Sequence, residues 1–355
     1  MSLPFLGALL ASNAVHAGSE SLPEVKPLLL VKTTAVLMDQ DRKGIADPGG
    51  YGDPEDDLGF KLQTVRMGFE GSNSTVKYGV TVGLSSPYDT VQEAQGASTD
   101  LGIVDAYGGY SPVENLWIIG GLQKVPVSRE HLMASHSLTF SRRAIPTEWL
   151  TPSRDLGVVI DSTWEFMRFR VGAFNGSGDL RGDDNNGKLV ASRIEGQLGD
   201  GNAYETYGEV DGLTLAVGVD GWMNNETALK SNGYGVDFLI RFQGLAVLGE
   251  ARYAEAKPKD GLLVVPGVFD KTERQGMSVQ AGYTIGQIEP AVRFSTFDDD
   301  QSVEDVGDVM EGMGGVTWHS QKDQVRAGVG YIARLERGPA KKENDGIQAW
   351  FQLKL

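Results

Sequence analysis

The chain has 355 residues with 48 Asp and Glu against 32 Lys and Arg, a formal net charge of -16. That balance argues against a nucleic-acid partner, whose phosphates need clustered cations. It has no cysteine, which removes disulfide scaffolds and thiolate metal sites, and its 40% hydrophobic content holds no run of about 20 apolar residues of the kind a membrane-spanning helix needs.

At the N-terminus, Met1–Ala17 contains an apolar stretch, Leu3–Leu10, and ends in the small-x-small site Val15-His16-Ala17 before Gly18. A secretory leader cut after Ala17 is expected there. No Lys or Arg precedes the apolar stretch, so the true start is expected upstream or the start codon misassigned. The remainder, 18–355, reads as one domain, because barrels often run long as single units.

A period of two then governs the chain. Met277–Ile285 is apolar at every odd position and polar or tiny at every even one, and Val325, Ala327, Val329, Tyr331 and Ala333 oppose Arg326, Gly328, Gly330 and Arg334. Such alternation is a strand with one apolar and one wet face. In chain order the strands are expected at Leu28–Leu37, a hairpin of Val65–Phe69 and Val76–Leu84 around Gly71–Ser74, Gly102–Tyr110, Leu116–Val125, Leu156–Trp164, Met167–Phe174, Leu189–Gln197, Leu213–Trp222, Tyr234–Gln243, Leu245–Ala254, Met277–Ile285, Ile288–Phe297, Met310–His319, Val325–Arg334 and Ile347–Leu355. The count is sixteen. Short turns such as Gln243-Gly244 and Gly286-Gln287 alternate with long polar loops such as Glu255–Gln275 and Asp298–Val309. The acid concentrates in such loops, at Asp53, Glu55, Asp56 and Asp57, at Asp183 and Asp184, and at Asp298–Asp300 with Glu304, Asp305 and Asp308. The fold class is therefore all-β: a transmembrane antiparallel β-barrel with lipid outside and a water-filled lumen inside, turns on one rim and loops on the other. A soluble sandwich would not need Arg opposite its apolar stripe in strand after strand. The last strand, apolar at Ile347, Ala349, Phe351, Leu353 and Leu355, is the one that closes the barrel on the first, since only closure removes an edge.

Between the fifth and sixth strands lies the most distinctive stretch. It carries Lys124, Pro126, Arg129 and Glu130, then Phe140, Arg142 and Arg143, then Pro152, Arg154, Asp155 and Gly157, followed downstream by Phe174, Asn175 and Gly176. In this order and spacing the residues resemble the phosphate-selective porin O/P family. The resemblance covers the middle of the chain closely and the rest by strand count; the terminal Leu355 departs from the aromatic usual at the end of such barrels. It implies a bacterial outer-membrane porin of 16 strands, a homotrimer, with the Lys124–Asp155 loop folded inward as a constriction carrying Arg129, Arg142, Arg143 and Arg154.

Alternation places Arg66, Lys77, Arg168, Arg170, Arg193, Arg241, Arg252, Arg293 and Arg326 on the pore-lining face, with Arg334 and Lys354. On the same face lie Glu70, Glu195, Asp220, Asp237, Glu250, Glu289 and Glu311. The wall is mixed, with an excess of cations; opposite charges there can equally form paired ladders that stiffen the barrel.

Other chemistry is thin. Of four histidines, His16 lies in the leader, His131 and His136 in the inserted loop and His319 on a strand, so no metal site is expected. Asp183, Asn185 and Gly187 resemble a calcium loop without its closing Glu. There is no Gly-x-Ser-x-Gly, and a barrel hydrolase would need Ser and His on adjacent strands. The expected function is passive diffusion of small hydrophilic solutes or anions through the outer membrane, against lipid and lipopolysaccharide outside, with no cofactor and no enzyme activity. Inward Arg and Lys in a low-dielectric annulus would favour anions. The alternative is a non-conducting structural or adhesive barrel with a plugged lumen.

Overall fold

The computed structural model describes residues 23–39, 59–85, 101–178, 187–259, 271–304, 307–336 and 345–355. The expected leader Met1–Ala17, the acids Asp53–Asp57 and Asp183–Asn185, and Asp305 lie outside the described residues. Sixteen strands form one closed antiparallel barrel: β1 (Lys26–Asp39), β2 (Gly59–Ser72), β3 (Val76–Ser85), β4 (Leu101–Val113), β5 (Leu116–Lys124), β6 (Arg154–Trp164), β7 (Met167–Phe174), β8 (Leu189–Leu198), β9 (Val210–Asn225), β10 (Leu229–Gln243), β11 (Leu245–Pro258), β12 (Thr272–Tyr283), β13 (Ile288–Asp298), β14 (Val309–His319), β15 (Val325–Glu336) and β16 (Gly346–Lys354). Each strand pairs with its chain neighbour, and β16 closes on β1 in the register Thr33↔Phe351 and Ala35↔Ala349, as the terminal alternation predicts.

The two faces separate as the period of two requires. Val158, Ile160, Val171, Val217, Val219, Val236 and Val292 are each at least half exposed on the outer face, an apolar band of the kind transmembrane barrels carry. Their sequence neighbours point inward. Two inward glycines give berths to guanidinium groups: a Cβ at Gly218 would sit 2.3 Å from Arg193 Nη2, and one at Gly235 2.5 Å from Arg252 Nη1.

The wall is not uniformly wet inside. Four apolar seats interrupt it, and residues of the β5–β6 connection occupy all of them. Val125 and Val127 pack on Val159, Phe174, Leu189 and Ala191; Met133 and Leu138 on Ala216, Leu239 and Leu248; Phe140 on Ala291, Met313 and Ile332; Ile145 and Leu150 on Ala254, Phe297 and Val309. Every seat lies between β6 and β15. The apolar seats therefore line that arc of the barrel, while β1, β2 and β5 hold the connection by hydrogen bonds from Lys32, Gln63 and Lys124.

Candidate functional site

The β5–β6 connection, residues 125–153, carries two short helices, α1 (Arg129–Leu132) and α2 (Ile145–Leu150). Ser128, at φ 52°, breaks from the strand and caps α1 by accepting from the His131 N–H. Pro146 opens α2, where a missing N–H costs nothing. Between them the backbone is irregular, so its polar groups need partners from elsewhere.

The barrel wall supplies those partners, sorted by charge. Carbonyl oxygens are met by cations: Lys124 Nζ donates to His131 O at 2.8 Å and Met133 O at 2.7 Å, Lys32 Nζ to Ser135 O at 2.9 Å and Ser141 O at 3.0 Å, Arg326 Nη1 to Leu138 O at 2.9 Å and His136 O at 3.1 Å, and Arg293 Nη1 to Arg142 O at 2.9 Å. Groups that donate meet acids: the N–H of Ser128 reaches Asp220 at 2.8 Å, and the N–H of Glu130 and the hydroxyl of Ser128 reach Glu250, each at 2.7 Å.

Behind the connection the inward charges form a closed lattice. Arg193 bridges Asp220 at 3.0 Å and Asp237 at 2.6 Å, Arg252 takes the other oxygen of Asp220 at 2.6 Å, Arg129 reaches Asp237 at 2.7 Å, and Arg170 reaches Glu195 at 2.8 Å. On β13–β15, Glu311 accepts Arg293, Arg334 and Arg142, and Glu289 lies between His319 at 2.8 Å and Arg326 at 3.7 Å.

The expected pore-lining cations therefore divide. Arg193, Arg241, Arg252, Arg293 and Arg326 point inward but are no more than 4% exposed, and Arg170 is 8% exposed; they hold the connection and its lattice and face no open water, because the inserted chain covers them. Arg66, Lys77 and Arg168, on β2, β3 and β7, keep partial exposure. So do Arg143 and Arg154, but Arg154 is the first residue of β6 and not part of the loop, and it is bonded to Asp105 at 2.9 Å. Arg129 is fully buried, Arg142 is tied to Glu311, and Arg143 donates to the carbonyls of Glu130 at 3.0 Å and Met133 at 2.8 Å, so all three expected constriction arginines within the loop are anchored. Lys124, Arg143, Arg154 and Arg66 lie within one another's electrostatic reach, with Asp105 beside them. Two loop histidines sense the surrounding field. Burial and then Lys124, Arg143 and Arg154 hold His131 well below its usual value; burial, Lys354, Lys32 and Arg326 push His136 down to about 3. A cavity of about 340 Å³ opens on Arg154 from the base of the connection, walled by Val125, Pro152 and Asn224.

A second inserted segment has no counterpart in the sequence reading. The β8–β9 connection, residues 199–209, is long for its rim, where the others span from one to five residues, as at Gly244, the link between β10 and β11. Its Ala203, Thr206 and Tyr207 are buried, and Tyr204 donates to Glu195 while its ring lies 5.5 Å from Arg129 and 5.4 Å from Arg170. Two tyrosines in a gap too long for a turn are the signal that could have found it.

No curated protein matches the chain in sequence. The family model described as phosphate-selective porin O and P matches residues 40–211. Among solved structures, the barrel is similar to the anion-selective porin from Comamonas acidovorans, at 11% identity and TM-score 0.61, over 94% of this chain and 100% of that one. The outer membrane protein OmpT of Vibrio cholerae, in its trimer form, gives the same identity, TM-score and coverage. The outer membrane channel DcaP of Acinetobacter baumannii gives 13% identity and TM-score 0.56, over 94% of this chain and 97% of that one. At these identities the likeness to the solved structures is one of fold.

Proposed function

From an outer-membrane barrel that carries the phosphate-selective porin O and P pattern over residues 40–211, we propose a channel for passive diffusion of small hydrophilic solutes that prefers anions. The observation that carries the preference is the partition of charge. Glu195, Asp220, Asp237, Glu289 and Glu311 are buried against guanidinium or imidazole partners and Glu250 against donors of the inserted chain. Of the wall acids named from alternation only Glu70 is exposed, whereas Arg66, Lys77, Arg142, Arg143, Arg154 and Arg168 keep contact with solvent. An ion passing along β2–β7 meets cations at close range in a low-dielectric wall, where they act most strongly. No covalent step is involved. The same reading carries a homotrimer in contact with lipid and lipopolysaccharide.

The test is a single-channel recording in a salt gradient. Anion selectivity is expected, reduced by replacing Arg66 and Lys77 together with Ala; a cation-selective wild type would overturn the preference. The depth to which residues 125–153 fill the lumen favours one second reading, a plugged barrel without conductance, and a silent wild type in the same recording would establish it.

A further inference from the structure

In a closed antiparallel barrel alternate connections fall on opposite rims, so the β5–β6 and β8–β9 connections start from opposite ends of the lumen. They meet inside it. The tip of the first, Ser135–Thr139, reaches the end of the wall at which β14 stops and β15 begins, where Arg326 and Gln352 bond its His136 carbonyl. There the second segment is waiting. Thr139 N–H donates to Thr206 Oγ1 at 3.0 Å and Thr139 Oγ1 to Thr206 O at 2.8 Å; Thr206 N–H donates to Ser137 O at 3.2 Å and Tyr207 Oη to His136 O at 3.1 Å.

The second segment is itself fixed along a chord across its mouth of the barrel. Arg241 on β10 donates to the carbonyls of Asn202 at 3.0 Å and Tyr207 at 2.5 Å. Gly208 N–H donates to Thr284 Oγ1, beyond β12, at 2.9 Å. The Tyr207 ring lies 5.1 Å from that of His319 on β14 and 3.9 Å from the Arg326 guanidinium on β15. Ala203 joins Met133 and Leu138 in the apolar seat on Ala216, Leu239 and Leu248. The chord therefore runs from β8 to β15, the arc on which the first segment leans.

We propose that the β8–β9 connection is a positioning element of the constriction: Thr206 and Tyr207 latch the tip of the β5–β6 segment from the opposite rim, and the pair confines solutes to the arc of β2–β7. This rests on the channel reading above for its electrical consequence, but the latch itself is independent of conductance. Releasing it lets the tip leave its seat and uncovers Ala216, Leu239 and Leu248 and the Arg326 guanidinium, so the passage widens and loses its bias.

The test uses the full-length protein folded in detergent and then in planar bilayers. Because the chain has no cysteine, introduced thiols are unambiguous. In a Thr206→Ala/Tyr207→Phe variant carrying Ser137→Cys, labelling of the buried position 137 by a charged thiol reagent should rise about tenfold or more over Ser137→Cys alone, the change that loss of one or two buried hydrogen bonds gives. Single-channel conductance should increase and the reversal potential move toward zero. Oxidising a Thr139→Cys/Thr206→Cys pair in the Tyr207→Phe background should restore both, and reduction should undo it. Unchanged labelling in a folded barrel would overturn the latch, whether or not the wild type conducts. Faster labelling with unchanged conductance and reversal potential in a conducting protein would overturn its role in the constriction. A silent wild type with faster labelling would sustain the latch and refute the channel.

Discussion

Lys32 Nζ, on the first strand, donates to the carbonyl of Ser141, 109 positions further along the chain, at 3.0 Å. By alternation this lysine is a charge on the pore wall; by contact it is a clamp on irregular backbone. An amide carbonyl left unpaired at this depth would cost a large part of its desolvation energy. The wall cations have two employments, and those with partial exposure, such as Arg66 beside Ser135 Oγ at 3.5 Å, can face solutes as well as the inserted chain.

Replacing Lys32 by Met should loosen the inserted segment without opening the barrel. Loss of a hydrogen bond to a charged group is worth about 1.5–3 kcal/mol, so protease cleavage within residues 130–141 should accelerate while the folded barrel persists on a gel. Equal cleavage of variant and wild type would show that the apolar seats alone hold the segment.

Arg193→Met should be among the most damaging wall substitutions. It takes one of two guanidinium partners from each of Asp220 and Asp237, whose side chains are fully buried and which keep Arg252 and Arg129, and breaking a buried pair costs up to about 3–5 kcal/mol. Arg168, with 33% side-chain exposure, should cost about 1 kcal/mol or less when replaced. The temperature at which the folded gel band converts to the unfolded one ranks the two; a reversed order would contradict the lattice.

Selectivity should follow exposure, not arginine count. Arg143→Ala should shift the reversal potential toward cations, whereas Arg142→Ala and Arg154→Ala should each shift it less, because Glu311 and Asp105 already close those charges. Asn at Asp298, Asp299 and Asp300 should leave it nearly unchanged, since charges at the rim, away from the narrowest point, are screened within about 8 Å at physiological salt. A larger shift from the aspartates would locate control in the loops.

His136 makes the seating of the segment sensitive to acid. It stays neutral in place down to about pH 3 because burial, Lys354, Lys32 and Arg326 oppose its proton, while the released segment takes up that proton near pH 6.5. Protonation thus favours release: the contribution is fully present above about pH 6.5 and is lost as pH falls toward 3. Protease sensitivity of the segment should rise over that window and rise less in His136→Gln. Identical profiles would rule the histidine out.

The alternation of apolar and polar residues reports which way a side chain points, and so all sixteen strands were legible, with β7 matching its expected bounds and β9 extending three residues beyond them at each end. It does not report what lies on top. The inward apolar residues Ala216, Leu239 and Leu248 are irregularities in a wet face until the chain that covers them is known. Residues 199–209 carry no period, and only their length and the pair Tyr204 and Tyr207 mark them as a second insertion. The guanidinium lattice is likewise legible as a mixed wall, but the split between buried and solvent-facing cations depends on where residues 125–153 lean, which is a tertiary fact.

The anchors of the inserted segment come from both ends of the chain: Lys32 belongs to the first strand and Gln352 to the last, with Asp220 and Glu250 from the middle. Its seats on β6–β15 need only the middle of the chain, but its full set of anchors is assembled only when β1 and β16 have met. The segment thus acts as a receipt for completed assembly, since its tightest seating requires the first and last strands to be paired.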